Sequence, residues 1–456
     1  MTTTTPAAIV TSLDDAPVTS FHRRLMYRCA GGPFLDGYVL SIVSVAVAGM
    51  TDDLHLSVFM LSAIGAAALV GILVGAAVFG PITDKIGREV MYILDVVVLV
   101  GASLLSAFAA TSWQVLVLRF VIGLAIGADY PIATSLLAEW LPRQKRGRML
   151  GALIVFWYIG ATAAYVVGLA IIHFGGDNLW RWILVSSAIP GVVVLLMRIG
   201  TPESPRWLVQ RDRKDAARQV ISKVFGDTVD ADAAVATEVI AAGNPEQRAS
   251  LRTVFQGRNL RRITFCGLFF LCQVTPLFAI YTFGPVILEA FGLNEGVMAY
   301  VGSALISLLF LIGCVPALRW VDSWGRRPLI VWSFGLMAIP LAVLGIAPTA
   351  PIVVIVTCFC LYALFSGGPN VLDWTYPSEL FPTEVRATAI GISTGISRIG
   401  AAVGTFLLPV SLDEIGVGPT MLIGAGLTVV GFVACLAWAE ETKDTNLGDT
   451  VPAPAA

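Results

Sequence analysis

The chain has 456 residues, of which 57% are hydrophobic and only 13% are charged, and its mean hydropathy is +0.82. A soluble domain carries about 25% charged residues, so this composition excludes an ordinary water-soluble fold and requires lipid as the solvent. The formal net charge of −2 gives no reason to expect a nucleic acid as a partner.

Twelve segments are long and apolar enough to cross a bilayer, since a span needs about 20 mostly apolar residues. In chain order the spans are predicted over residues 29–50, 57–79, 90–110, 113–138, 149–172, 181–199, 262–289, 297–318, 328–346, 351–376, 386–409 and 419–438. A charged segment over 201–261 separates the first six spans from the last six, and its pattern predicts short amphipathic helices. The predicted fold class is therefore an all-α membrane protein.

The connections between spans differ in their basic residues. Those over 51–56, 111–112, 173–180, 290–296, 347–350 and 410–418 contain no Lys or Arg, whereas the opposite set is rich in both. By the positive-inside rule both termini are predicted to be cytoplasmic. The predicted organisation is a leader over 1–24, a six-helix half over 25–200, a cytoplasmic linker over 201–261, a second six-helix half over 262–439 and a disordered tail over 440–456.

A polar signature occurs twice at the predicted cytoplasmic side. "GPITDKIGREV" and "RWVDSWGRRPL" place Asp, Gly and Arg at matching positions 238 residues apart. "AEWLPRQKRGR" and "SELFPTEVRAT" lie 240 residues apart and keep the same spacing of Glu, Pro and Arg. Such a repeat indicates two homologous halves, which is the architecture of secondary transporters. Salt bridges between these helix ends are predicted to form a cytoplasmic gate, with candidates Asp84, Arg88, Glu139, Arg146, Arg148, Asp322, Arg326, Glu379 and Arg386.

These motifs resemble those of the major facilitator superfamily, in particular its sugar porter and metabolite:proton symporter branches. "TPESPRWL" over 201–208 resembles the signature that ends the sixth helix, and "YPSELFPTEVRATAIG" over 376–391 resembles the signature between helices ten and eleven. The resemblance covers nearly the whole chain. It implies alternating access, with the proton as the coupling ion, no other cofactor and no metal. The implied partners are a small polar solute and the lipid bilayer, with no obligatory protein partner.

Two departures from the family pattern concern the substrate. Sugar porters typically carry Gln-Gln-x-x-Gly early in helix seven, where this chain keeps only Gln273. Many relatives have Asp-Gly-Tyr-Asp in helix one, where this chain keeps Asp36 and has Val39 at the second acid. The predicted function is proton-coupled uptake of a sugar or polyol. The alternatives are symport of an organic, sugar or aromatic acid, proton-driven export of a metabolite or drug, and a nutrient sensor with the transporter fold.

An enzyme is not predicted, because the sequence contains no nucleophile elbow between a strand and a helix and no cluster of metal ligands. The absence of a P-loop also argues against transport driven by ATP. The absence of any Asn-x-Ser/Thr glycosylation site favours a bacterial source, and thus a multi-pass protein of the inner membrane.

Charged residues inside spans are the best markers of function, because a charge in hydrocarbon costs about 3 kcal/mol or more. Asp36 and Arg119 are both predicted near the middle of their spans. Arg119 is interpreted as the only cation deep in a span. We expect them to pair when Asp36 is ionised and to separate when it is protonated, as the resemblance also implies. Asp129 is the second proton-coupling candidate. Asp95 is interpreted as part of the gate cluster, and the role of Asp373 stays open.

Solute contacts are expected from amide and aromatic side chains that converge inside the spans. An amide both donates and accepts hydrogen bonds to a hydroxylated solute, and an aromatic face can cover a sugar ring. Gln273 and Asn370 are the strongest candidates, since an amide is costly in lipid. The full predicted set is Trp157, Tyr158, Gln273, Phe278, Tyr281, Asn370 and Trp374.

Overall fold

A computed structural model describes residues 12–176, 178–242, 255–293, 297–381 and 383–443. Within these ranges twelve helical segments are long and apolar enough to cross a membrane. The predicted all-α fold with twelve spans is confirmed.

The spanning helices of the first half are α1 (Ser20–Leu54), α2 (Val58–Ile86), α3 (Arg88–Leu105), α4 (Ser112–Trp140), α5 (Arg143–Phe174) and the consecutive pair α6 (Leu179–Val185) and α7 (Ala188–Arg198). Between the halves lie α8 (Pro205–Gln210), α9 (Lys214–Phe225) and α10 (Ala231–Ala242). The second half contains α11 (Gly257–Ala290), α12 (Met298–Trp324), α13 (Arg326–Ile346), the pair α14 (Ile352–Phe365) and α15 (Gly367–Leu380), α16 (Thr383–Glu414) and α17 (Val417–Trp438). Helix α1 begins inside the predicted leader, and α11 begins inside the predicted linker.

The leader, the linker and the segment after α17 lie at one end of the molecule, which is called the linker side below. Asp14 of the leader pairs with Arg206 of the linker at 2.8 Å. After α17, Glu440 pairs with Arg258 and Arg262 at 2.8 and 2.6 Å. The positive-inside rule predicts that this side faces the cytoplasm.

The linker helices pack against the first half through an apolar cluster of their own. Ile221 and Phe225 of α9 are buried there together with Leu13 of the leader and Trp140 at the end of α4. Such burial on one face explains why this charged segment folds into short amphipathic helices, as its sequence pattern predicted.

Glycine brings α2 and α4 into close contact. A Cβ atom added to Gly123 would lie 2.1 Å from the carbonyl oxygen of Ala68, and one added to Gly127 would lie 2.4 Å from that of Ile72. Small residues allow such backbone approach between spans. Helix α4 is continuous through its Gly-rich stretch. In the second half, by contrast, α14 and α15 are separated at Ser366.

The two halves meet along a seam in which α5 contacts α12, α2 contacts α16 and α1 contacts α11. The hydroxyl of Tyr165 donates to the carbonyl oxygen of Tyr281 at 2.8 Å, across this seam. Near the side opposite the linker, the rings of Phe59 and Phe406 lie edge to face with their centroids 5.6 Å apart. The seam is therefore the place where solute groups from both halves can converge.

Candidate solute and coupling site

Five aromatic rings cluster at the seam between α5 of the first half and α11 and α12 of the second. Trp157 lies edge-on to Phe278 and Tyr281, at centroid distances of 5.9 and 5.4 Å. Tyr158 and Tyr281 both contact Phe310, at 6.0 and 5.0 Å. Four of these residues were predicted solute contacts. Phe310 was missed, because a phenylalanine in an apolar span carries no signal in the sequence. Since the rings come from both halves, any movement of one half must rearrange the cluster.

The two predicted amides, Gln273 of α11 and Asn370 of α15, are hydrogen-bonded to each other. They are 1% and 2% exposed. Within the described part of the chain, Gln273 Oε1 and Asn370 Nδ2 have no hydrogen-bond partner. The pair therefore leaves one free acceptor beside one free donor, whichever way the amides are turned. A solute hydroxyl, which donates and accepts, is the complement of that pair.

A charged cluster lies inside the first half. Arg198, the last residue of α7, is 1% exposed and pairs with Asp95 of α3 at 3.0 Å and with Asp129 of α4 at 2.7 Å. It also donates to the carbonyl oxygen of Tyr92 at 2.7 Å, and it lies over that ring at 3.7 Å. Asp95 thus belongs to this cluster and not to the gate, so the sequence interpretation was wrong. Arg198 was missed because an arginine at the predicted end of a span is ordinary.

The predicted ion pair between Asp36 and Arg119 is wrong. Arg119 Nη1 donates to the carbonyl oxygen of Val39 at 3.0 Å, and the described residues place no carboxylate within ion-pair distance of it. Asp36 lies three residues before Val39, about 4.5 Å along the helix axis toward the linker side. It lines a cavity with Asp95, Asp129 and Arg198 that has room for about one water molecule.

Two further charges lie in spans of the second half. Arg398 of α16 lies 5.5 Å from the ring centre of Phe278, which corrects the interpretation of Arg119 as the only deep cation. Asp373 of α15 has one buried carboxylate oxygen without a partner in the described residues.

At the linker side, four residues form what we call the first latch: Arg88, Glu139, Glu203 and Ser204. The guanidinium of Arg88 and the hydroxyl of Ser204 both donate to the carboxylate of Glu139. Glu203 accepts a hydrogen bond from the backbone N–H of Glu89 at 3.1 Å. The latch joins the start of α3, the end of α4 and the segment after α7.

The second latch repeats this arrangement with Arg326, Glu379, Glu441 and Thr442. Arg326 donates to Glu379 at 2.9 and 2.7 Å, and the hydroxyl of Thr442 donates to the same carboxylate at 2.5 Å. Glu441 accepts from the backbone N–H groups of Arg326 and Arg327 at 2.9 and 3.1 Å. Two residues of the predicted disordered tail, Glu441 and Thr442, are therefore held in this latch.

Four of the predicted gate residues thus form inter-helix salt bridges, each within one half: Arg88 with Glu139 and Arg326 with Glu379. Six predicted site residues have side chains outside the described part of the structure: Asp84, Arg146, Arg148, Asp322, Trp374 and Arg386.

Two halves with matching latches on one side, and buried aromatic rings from both halves at the seam between them, are the architecture of secondary transporters. The family model for sugar (and other) transporters matches residues 29–450. The chain therefore belongs to the sugar transporter family of the major facilitator superfamily. It is a multi-pass membrane transporter, not an enzyme.

Individual relatives agree with this assignment. The chain is 40% identical over 439 residues to YaaU of Escherichia coli strain K12, which is named for metabolite transport, and the match covers 96% of each chain. It is 28% identical over 453 residues to the arabinose-proton symporter of Bacillus subtilis strain 168, covering 95% of this chain and 96% of that one. The solved structure of the xylose transporter XylE from E. coli, in a partially occluded inward open conformation, superimposes with a TM-score of 0.80 at 21% identity. That match covers 94% of this chain and 100% of XylE, and shows the shared fold.

Proposed function

We propose that this transporter takes up a small neutral hydroxylated solute, a sugar or a polyol, together with protons. The observation that carries the proposal is the free acceptor of Gln273 beside the free donor of Asn370. A buried amide atom without a partner costs about 1–3 kcal/mol, and a solute hydroxyl would recover that loss. Phe278 and Tyr281 follow Gln273 on the same helix and offer ring faces that could cover a sugar.

The relatives support the solute class and the coupling ion. One is an arabinose-proton symporter, and the structural neighbour is a xylose transporter. Carboxylates enclosed in the first half supply groups that could carry the proton. An inward-negative potential of 100 mV contributes about 2.3 kcal/mol per proton, which favours uptake over export.

Symport of an organic acid is the second candidate, and Arg119 is the observation that favours it. Arg119 is 2% exposed, and its one described hydrogen bond goes to a backbone carbonyl oxygen. A buried cation without a countercharge is costly. A solute carboxylate that reached Arg119 would supply that charge.

The test is uptake by the purified protein in proteoliposomes, with an acidic outside and a neutral lumen. Radiolabelled L-arabinose, D-xylose, D-glucose, myo-inositol and nicotinate form the panel, and liposomes without protein are the control. We expect at least one sugar or polyol to accumulate above equilibrium, and a protonophore to abolish that accumulation. Accumulation of nicotinate alone would replace the first candidate by the second. Sugar uptake that is insensitive to the protonophore would refute proton coupling.

A further inference from the structure

The charged cluster of the first half has no counterpart in the second, although the latches are duplicated. Asp36, Asp95 and Arg198 correspond, 238 residues later, to Val274, Ser333 and Leu436. Asp129 corresponds to Pro369 at the 240-residue offset. Because the second latch forms without a matching group of three buried carboxylates around one arginine, such a cluster is not needed to build a latch. A different role must account for the cost of burying it.

The charged cluster packs against the backbone of α1 at Gly32. A Cβ atom added to Gly32 would lie 2.0 Å from Asp129 Oδ2 and 2.6 Å from Arg198 Nη2. Asp36 follows Gly32 by one helical turn and faces the same water-sized cavity. The ion pair and the carboxyl of Asp36 therefore share one enclosed volume.

The cavity beside Asp36 contains more acidic than basic groups. Three carboxylates, from Asp36, Asp95 and Asp129, surround the single guanidinium of Arg198. The two terminal nitrogens of that guanidinium are engaged by Asp95 and Asp129, whereas Asp36 Oδ2 has no hydrogen-bond partner in the described residues. An enclosed site cannot hold three ionised carboxylates against one cation at low cost.

Two more cations lie inside spans of other helices. Arg119 of α4 is directed at the carbonyl oxygen of Val39. Arg398 of α16 lies in the second half, 5.5 Å from the ring centre of Phe278. Neither forms an ion pair with Asp36, so this is the carboxyl whose ionisation is least compensated.

Asp36 is the coupling-proton carrier that the sequence already predicts, and we propose that Arg198, held by Asp95 and Asp129, is the countercharge that governs release of that proton. The resemblance to relatives gives that part to Arg119 instead. The inference rests on the proton coupling of the proposed function. A proton from the aqueous phase binds Asp36 Oδ2, and its departure leaves a carboxylate that competes with Asp95 and Asp129 for Arg198.

The cluster is joined to the first latch by short lengths of chain. Arg198 ends α7, and Glu203 follows five residues later. Asp95 lies on α3, whose first residue is Arg88. A displacement of Arg198 toward α1 would therefore pull on both sides of the first latch. Arg198, Asp95 and Asp129 act as positioning residues, and Asp36 is the proton carrier.

The first experiment needs no solute, so its failure is distinct from failure of the uptake assay. The full-length protein is reconstituted in lipid vesicles and titrated from acid to alkaline pH, while infrared difference spectra record protonated carboxyl groups. We expect one component to be lost in Asp36→Asn and retained in Asp373→Asn, a matched control in a span of the second half. A full set of components in Asp36→Asn would overturn the proposal.

The second experiment tests Arg198 against Arg119. In Arg198→Gln the titration midpoint of the Asp36 component should move to higher pH by about one unit or more, because a nearby cation is lost. Arg198→Lys should restore most of the shift, and Arg119→Gln should leave the midpoint near that of the wild type. A larger shift in Arg119→Gln, or none in Arg198→Gln, would overturn the role of Arg198.

If Arg198→Gln does not fold, Asp95→Asn replaces it. That variant removes a carboxylate that competes for Arg198, so the midpoint of the Asp36 component should fall. An unchanged titration midpoint of the Asp36 component in Asp95→Asn would also contradict the proposal.

Discussion

Glu203 accepts a hydrogen bond from the backbone N–H of Glu89 at 3.1 Å, which ties the segment after the sixth span to the turn between the second and third. That turn contains Gly87 at φ +114°, and a Cβ atom there would lie 2.9 Å from Glu203 Oε2. The second half repeats the contact between Gly325, at φ +98°, and Glu441, at 2.6 Å. Glycine is needed at both turns for its positive φ and for the close approach of a carboxylate.

Arg88→Ala and Arg326→Ala each remove one latch, and should favour opening on the linker side. Loss of hydrogen bonds to a charged group costs about 1.5–3 kcal/mol, enough to shift the populations of two states about tenfold or more. Labelling of a cysteine introduced on the linker side of the seam should accelerate accordingly. Lys85→Ala is the matched control, since Lys85 is exposed in the same turn. Equal labelling rates in all three variants would leave the latches without a gating role.

Asp36→Asn should abolish accumulation against a gradient while leaving exchange of solute partly intact. Counterflow moves solute in both directions through the loaded carrier and needs no release of the proton. Uphill uptake requires a carboxyl that loses its proton on the other side of the membrane. The measurement compares counterflow with uptake driven by a pH gradient in the same proteoliposomes. Accumulation by Asp36→Asn at the wild-type level would place the proton elsewhere.

Gln273→Ala should weaken binding of a sugar or polyol by about 1–3 kcal/mol, or roughly 5- to 150-fold in Kd, because a solute hydroxyl loses its partner. Arg119→Lys should change the Kd of a neutral solute far less. For an organic acid the order reverses, since Lys cannot reproduce the bidentate contact of a guanidinium with a carboxylate. Calorimetric titration measures Kd directly. Wild-type affinity in Gln273→Ala for every sugar that binds would exclude the amide pair as the solute site.

Glu440→Gln should destabilise the protein at neutral pH and leave its stability unchanged in acid. Partial burial would raise the pKa of Glu440, but hydrogen bonds and charge interactions from Arg262 and Arg258 outweigh it and hold the pKa below the usual value. A depressed carboxyl pKa gives stability that is present above the unfolded-state pKa and lost as pH falls through the folded-state value.

The measurement for Glu440 is Tm in detergent as a function of pH, with Glu414→Gln as an exposed control. The Tm of the wild type should exceed that of Glu440→Gln at neutral pH, and this difference should disappear as the carboxyl of Glu440 becomes protonated. A Tm difference that stays constant down to acid pH would mean that the ion pairs with Arg258 and Arg262 do not contribute this stability.

Much of the site could be predicted because its signals are local in the chain. Gln273 and Asn370 were identified as amides inside apolar segments, and Trp157 as an aromatic among them. The structure brings the two amides together across 97 residues of sequence. Phe310 completes the aromatic cluster, yet nothing in its own neighbourhood distinguishes it from a residue that faces lipid.

The sequence by itself determined the twelve spans, the two halves and the Arg and Glu residues of each latch salt bridge, because hydropathy is a local property and a repeat can be read directly from residue spacing. The tertiary structure alone decided which charges pair. Arg198 meets Asp95 and Asp129 across separations of 103 and 69 residues, and each contact depends on the depth and rotation of a different helix. A shift of one residue along any of these helices would turn its side chain by about 100° and move it by about 1.5 Å, which is enough to break these contacts. Asp36 shares a cavity with Arg198, and the one hydrogen bond of Arg119 within the described residues goes to the backbone of Val39.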